Sequence, residues 1–199
     1  MLHNAGAGHH APGGRNRHAR RPSARLVVAT NPSKEAPVGV LPDPVEEVLS
    51  RALVCEFTVV SAEGRPVTHP MIPLYDGERI YMTSSALFSR KLDHVRANPK
   101  VAISISDLGA AHGDPMSRRV TVQGEAAILE DDPHTTWERI LPLWIAKEPI
   151  VKMFYEKRVA LPLFWERALI ELTPRRALVW EGGDTSLAPQ VFEVQGVGA

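Results

Sequence analysis

Ile80-Tyr-Met-Thr-Ser-Ser-Ala-Leu-Phe-Ser-Arg-Lys-Leu-Asp-His-Val-Arg-Ala-Asn-Pro-Lys-Val-Ala-Ile-Ser-Ile-Ser106 decides how the rest of the chain is read, because it passes from a strand through hydroxyls and a basic helix into another strand. The first N–H groups of a helix have no partner within it, and the aligned peptide dipoles make that end positive. Thr83, Ser84 and Ser85 place short donors at the helix mouth, while Arg90 and Lys91 add charge one turn further on. This pattern predicts an anchor for a phosphorylated cofactor. For Lys91 the plainer alternative is a solvated lysine in a serine-capped helix.

Upstream, Val54-Cys-Glu-Phe-Thr-Val-Val60, Pro66-Val-Thr-His-Pro-Met-Ile-Pro-Leu74 and Arg79-Ile-Tyr-Met-Thr83 read as three consecutive strands. The Gly-containing turns Ala62-Glu-Gly-Arg65 and Tyr75-Asp-Gly-Glu78 join them, which predicts an antiparallel meander. Pro70 and Pro73 cannot donate to a ladder, so the middle segment should be irregular or at an edge, with backbone groups open to a ligand. Before it, Leu41-Pro-Asp-Pro-Val-Glu-Glu-Val-Leu-Ser-Arg-Ala-Leu53 predicts a short amphipathic helix, with Asp43 as cap, Pro44 at the first helical position and Glu46 and Glu47 at the positive end.

Downstream, a helix over about Phe88 to Ala97 is stopped by Asn98-Pro99, and Val101-Ala-Ile-Ser-Ile-Ser106 alternates like a half-buried strand. A loop from Asp107 to Ser117 leads to the long strand Arg118–Leu129, where Gly124 marks a bulge or bend. Residues 131–158 should be helical with breaks at Pro142 and Pro149, and Phe164 to Leu172 and Ala177 to Trp180 should add two strands. Six or seven strands with peripheral helices, and no alternation of strand with crossover helix, predict a mainly β (α+β), closed or partly closed antiparallel barrel.

The 199 residues and 44% hydrophobic content suit one domain with a tail. Residues 1–37 form an Arg-, His- and Gly-rich tail expected to be disordered, residues 38–183 the folded domain and residues 184–199 a C-terminal extension. The 23 basic residues balance the 23 acidic ones, giving no overall pull toward nucleic acid or an anionic membrane. Neither a membrane-length apolar run nor a secretory core is present, and the single Cys55 fits a reducing cytoplasm. Cys55 reads as a small buried hydrophobe. His69 reads as a strand residue or an unsupported base, while His94, His112 and His134 read as solvated or in loops. No spacing suggests a metal site. Trp137, Trp144, Phe154, Tyr155, Phe164 and Trp165 form either core or the walls of an apolar pocket. Hydrolase, dinucleotide and nucleotide-triphosphate motifs are absent.

The order of these elements resembles the pyridoxamine 5'-phosphate oxidase-like, FMN-binding split β-barrel superfamily over about Leu53 to Trp180. Its most specific piece is the strand, Thr83-Ser-Ser85, Lys91, the helix and Asn98-Pro-Lys-Val-Ala-Ile-Ser104. Arg118-Arg-Val-Thr-Val-Gln-Gly-Glu-Ala126 and Leu178-Val-Trp-Glu-Gly-Gly183 are similar to later family segments. The resemblance implies a homodimer with the cofactor between subunits. It further implies that Thr83, Ser84, Ser85 and Lys91 hold the phosphate, that the backbone around Met71 and Ile72 faces the ring, and that Arg119 and Trp180 approach it from the same or the partner chain; Tyr81 and Arg90 are further cofactor-binding candidates. Asp184-Thr-Ser-Leu-Ala-Pro-Gln190 departs from the substrate-binding stretch of the true oxidases, which argues against pyridoxamine phosphate oxidation. The chain looks closer to actinobacterial branches that use the deazaflavin coenzyme F420 in place of FMN. The expectation is a flavin- or deazaflavin-dependent oxidoreductase acting on a small organic substrate; the alternative is a non-catalytic flavin- or haem-binding protein.

Overall fold

In the computed structural model, alternation in the sequence becomes alternation in burial. Cys55, Phe57 and Val59 of β1 (Cys55–Val60), Val101, Ile103 and Ile105 of β5 (Lys100–Ser106), and Val120 and Val122 of β6 (Arg118–Leu129) all point inward to one core. The structure describes residues 39–86, 88–106, 118–129, 133–156 and 167–194, without the side chains of 133–136 and 155. The tail, the 107–117 loop, His112, Phe164 and Trp165 and the side chains of His134 and Tyr155 lie outside the described residues.

The remaining strands are β2 (Pro66–Met71), β3 (Leu74–Tyr75), β4 (Ile80–Ser85), β7 (Arg167–Glu181) and β8 (Gln190–Glu193). They form one antiparallel sheet in the order β2-β1-β5-β6-β7-β4-β3, with β8 beside β7. The sheet curls into a split β-barrel, mainly β with a few helices. The strands predicted as a meander are instead two hairpins, β1–β2 and β3–β4, at opposite ends of the sheet path. The chain crosses between them at Ile72-Pro73, where proline removes a ladder donor, so the expected edge position holds for both fragments of the middle segment. Gly64 and Gly77, at φ 76° and 101°, make the hairpin turns in a region that disfavours side chains.

Gly124 meets its bulge across the ladder. Gln123 pairs with Arg176 but Gly124 pairs with Pro174, so the extra residue, Arg175, belongs to β7. A Cβ on Gly124 would stand 2.1 Å from the Thr173 carbonyl oxygen. The bulge accommodates Pro174 inside a central strand, and β7 runs unbroken from Arg167 to Glu181 where two separate strands were expected.

Helix α1 (Asp43–Arg51) buries Val45, Val48 and Leu49 in the main core. It starts one residue earlier than expected: Pro42, at φ −66° and ψ 148°, occupies the cap position and its carbonyl accepts from Val45 and Glu46, so Asp43 is the first helical residue and makes no capping bond. Helix α2 (Arg90–Ala97), shorter than predicted, follows Ser89 and buries Leu92 and Val95 against β1 and β6.

Helix α3 (Pro133–Lys147) passes through Pro142 unbroken. That residue is exposed, so the carbonyl it leaves without a helical donor can turn to water. The break comes at Glu148-Pro149, before α4 (Ile150–Glu156). Trp137 and Trp144 stack with centroids 5.5 Å apart and, with Ile140, Val151, Leu74, Tyr81 and Leu169, form a second core between these helices and β3, β4 and β7. These tryptophans are therefore core. No helix among the described residues is long and apolar enough to cross a membrane.

Candidate functional site

Strand β4 ends in hydroxyls because its inward residues have reached the barrel rim. Ile80 and Met82 fill the core, and Ser84, next on the same face, is 3% exposed yet polar. A buried hydroxyl needs partners. Ser84 Oγ donates to Ser89 Oγ at 2.8 Å and accepts from Lys91 Nζ at 3.3 Å. The β4–α2 connection thus folds back on itself and turns the first turn of α2 toward the strand end.

Facing Lys91 across this turn is Arg167, the first residue of β7, set in register with Ser85. Its Nη1 donates to Thr83 Oγ1 at 2.9 Å, and its guanidinium lies 5.9 Å from the centre of the Trp144 ring, a cation–π distance. Pro70 and Met71 of β2 complete the wall. The result is a cleft of about 310 Å³ lined by Pro70, Met71, Thr83, Ser84, Ser85, Lys91 and Arg167.

Its electrostatics follow from placing two cations at a half-buried spot. Loss of water pushes the Lys91 amine below the usual lysine range, and the Arg167 charge pushes it further the same way. Arg167 is itself lowered by burial. Among the described residues, no carboxylate lines the cleft. Such a site favours an anion with more than one negative charge and several acceptor oxygens.

A family model described as pyridoxamine 5'-phosphate oxidase matches residues 41–181. The chain belongs to that family. No curated protein matches it. Among solved structures, an F420 reductase is 23% identical over 69% of this chain and 98% of its own, with a TM-score of 0.50. A conserved hypothetical protein from Mycobacterium tuberculosis is 20% identical over 84% of this chain and 100% of its own, with a TM-score of 0.56. A heme binding protein from Mycobacterium smegmatis is 17% identical over 77% of this chain and 59% of its own, also with a TM-score of 0.56. At these identities the likeness is one of fold.

Within this oxidase-family barrel, the residues singled out in the sequence divide into three groups. Met71, Thr83, Ser84, Ser85 and Lys91 meet in the cleft. Tyr81, Ile72 and Arg90 do not line it. Tyr81 is fully buried under α3, where its hydroxyl donates to Asp76 at 3.1 Å and the Arg139 guanidinium lies 5.3 Å from its ring centre. Ile72 packs on the second core, and Arg90 is exposed at the start of α2. Arg119 and Trp180 pair with each other across β6 and β7, at the end of β7 opposite to Arg167. Trp180 Nε1 donates to the Leu187 carbonyl at 3.1 Å, whereas the buried Arg119 Nε has no hydrogen-bond partner.

Arg167 is the cleft residue that sequence reasoning missed. It opens an ordinary apolar strand, and only its register with Ser85 brings it to the cleft. His69, adjacent to Pro70, has a buried Nε2 without a hydrogen-bond partner, and burial, then the nearby Lys91 and His94, lower its pKa. Cys55 is buried and its thiol is pushed up to about 12, which suits a packed, unreactive side chain. Among the described residues, no group of three or more His, Cys, Asp or Glu side chains is placed to hold a metal.

Proposed function

We infer that the protein is a cytoplasmic oxidoreductase that binds FMN, or the deazaflavin coenzyme F420, by its phosphate in the Thr83–Arg167 cleft and acts on a small organic substrate. The observation that carries this reading is the facing of Lys91 and Arg167, two half-buried cations beside three hydroxyls in one cleft. A phosphate monoester, with nearly two negative charges at neutral pH and three acceptor oxygens, matches that donor set.

The bound ring would supply hydride transfer to or from the substrate. The chain's own residues bind and orient. Lys91 and Arg167 would neutralise the phosphate, Thr83, Ser84 and Ser85 would offer hydroxyls to its oxygens, and the proline-interrupted backbone at Met71 would face the ring. Because position and a dry wall are the protein's contribution, the cleft needs no acid–base pair of its own.

Trp180 lies thirteen residues beyond Arg167 on one continuous strand, about 40 Å of strand path at about 3.3 Å per residue. One small cofactor cannot touch both in a single chain. A homodimer in which Arg119 and Trp180 of the partner subunit close over the cleft meets this constraint and gives the Arg119 Nε an acceptor.

Mass spectrometry of the ligand released from freshly purified protein tests the reading, followed by titration with FMN and with F420. Protein that carries neither and takes up neither would sink it. Reduction of the bound cofactor by NAD(P)H, or its reoxidation by a quinone or nitro compound, separates an enzyme from a carrier without turnover. A Soret band on haem titration would favour a haem carrier.

A further inference from the structure

Lys147, in the last turn of α3, points away from solvent into a gap between three backbone segments. Its Nζ donates to the Leu49 carbonyl at 2.6 Å and the Ala52 carbonyl at 2.8 Å, both at the end of α1, and to the Pro73 carbonyl in the β2–β3 link. An ammonium has three N–H donors, and here three carbonyl oxygens converge on it. Two of those carbonyls belong to the last turn of a helix, where no intrahelical donor is available and a positive charge is favoured.

The third carbonyl ties this cluster to the cleft. Pro73 ends the segment that begins with the cleft residues Pro70 and Met71, and its neighbour Ile72 packs on the second core. Neither Pro70 nor Pro73 has an N–H with which the ladder could hold the segment. One turn earlier on α3, Trp144 lies under the Arg167 guanidinium and donates its Nε1 to Glu148 at 2.7 Å. Residues three apart share a helix face. So α3 reaches the cleft twice, once beneath the cation and once behind the opposite wall.

We propose that Lys147 is a positioning residue that clamps the Met71–Pro73 wall of the cleft to α1 and α3, setting the distance between that wall and the Lys91–Arg167 pair. The three carbonyls that the lysine holds, of Leu49, Ala52 and Pro73, all lie outside the cleft lining. Burial lowers its amine to about 8, so at neutral pH it remains mostly an ammonium with all three donors in use. The proposal rests on the cofactor reading for its consequence but not for its geometry.

The test uses the full chain. In Lys147→Met, hydrogen exchange should quicken at the amides of residues 71–75 and 49–54, while β5 and β6 keep their protection. Where Lys91 and Arg167 are intact, FMN affinity should fall about tenfold, and Lys147→Arg, with its fixed charge and multiple donors, should recover much of it. Uniformly faster exchange throughout the sheet would mean general stability only and overturn the proposal, as would unchanged exchange at 71–75. If Lys147→Met does not fold, Lys147→Gln, which keeps two donors, is read in the same way. Wild-type protein that binds neither FMN nor F420 would defeat the cofactor reading, while the exchange pattern would still decide the clamp.

Discussion

Arg167→Met separates the cleft's charge from its packing. Methionine keeps an apolar stem of similar reach over Trp144 but removes the guanidinium and its bond to Thr83 Oγ1. A hydrogen bond to a charged group contributes about 1.5–3 kcal/mol, and about 1.4 kcal/mol is tenfold in affinity, so FMN should bind roughly 10- to 150-fold more weakly. Half-buried charges are screened less than exposed ones. The loss should therefore persist at 1 M salt, where the Debye length is about 3 Å.

The variant also carries a second, opposite signature. In the wild type, burial and then Arg167 hold the Lys91 amine below the usual lysine range. A phosphate binds the charged amine, so affinity falls as pH rises past the free protein's Lys91 pKa. Removing Arg167 lifts that pKa, and the alkaline loss of binding should begin at higher pH even though binding is weaker throughout. Flavin fluorescence titrations from neutral pH to pH 10.5, in both proteins, read both effects. Affinity within about twofold of wild type would refute the anion-pair argument, since it lies well under the expected loss. An onset that does not move would remove the Lys91–Arg167 coupling.

Lys91→Ala should weaken FMN binding by a similar order, about 10- to 150-fold; unchanged affinity would show that the phosphate lies elsewhere. Gly124→Ala places a methyl group 2.1 Å from the Thr173 carbonyl oxygen. Overpacking of about 1–3 kcal/mol, at about 2–4 °C per kcal/mol for a chain of this size, should lower Tm by about 2–12 °C in circular-dichroism melts, and an unchanged Tm would mean that the bulge opens freely. The folded-state Lys147 pKa of about 8 lies below its unfolded value, so the fold favours the neutral amine. Its contribution to stability is complete above the unfolded pKa and is lost as pH falls through about 8. The stability of wild type relative to Lys147→Met, from urea denaturation, should therefore rise between pH 8 and 10; a flat difference would contradict the depressed pKa.

Local chemistry was legible in the sequence wherever it was also locally decided. The inward rows of β1, β5 and β6 follow from alternation, and Thr83 to Lys91 are brought together by a short connection. Long-range register was not legible. Arg167 enters the cleft through a pairing more than eighty residues away in sequence, and the split of the 66–74 segment into two edges depends on where each hairpin finds its neighbour. Proline misled in both directions. Pro142 was expected to break a helix but sits on an exposed face, and Thr173-Pro174 looked like the gap between strands until Gly124 made room for it. Tyr81 shows the same limit: expected at the cofactor, it lies on the face of β4 that continues under α3.

The extra residue in β7 does more than relieve Pro174. Before it, the residues that face the main core are the even-numbered Ala168, Ile170 and Leu172, with Leu169 turned to the second core; after it they are the odd-numbered Ala177 and Val179. In a regular strand, thirteen steps would leave Arg167 and Trp180 on opposite sides of the sheet. By switching the parity of the strand, Arg175 puts both on the face away from the main core, so that one strand presents a guanidinium and, thirteen residues on, an indole to the same side of the sheet.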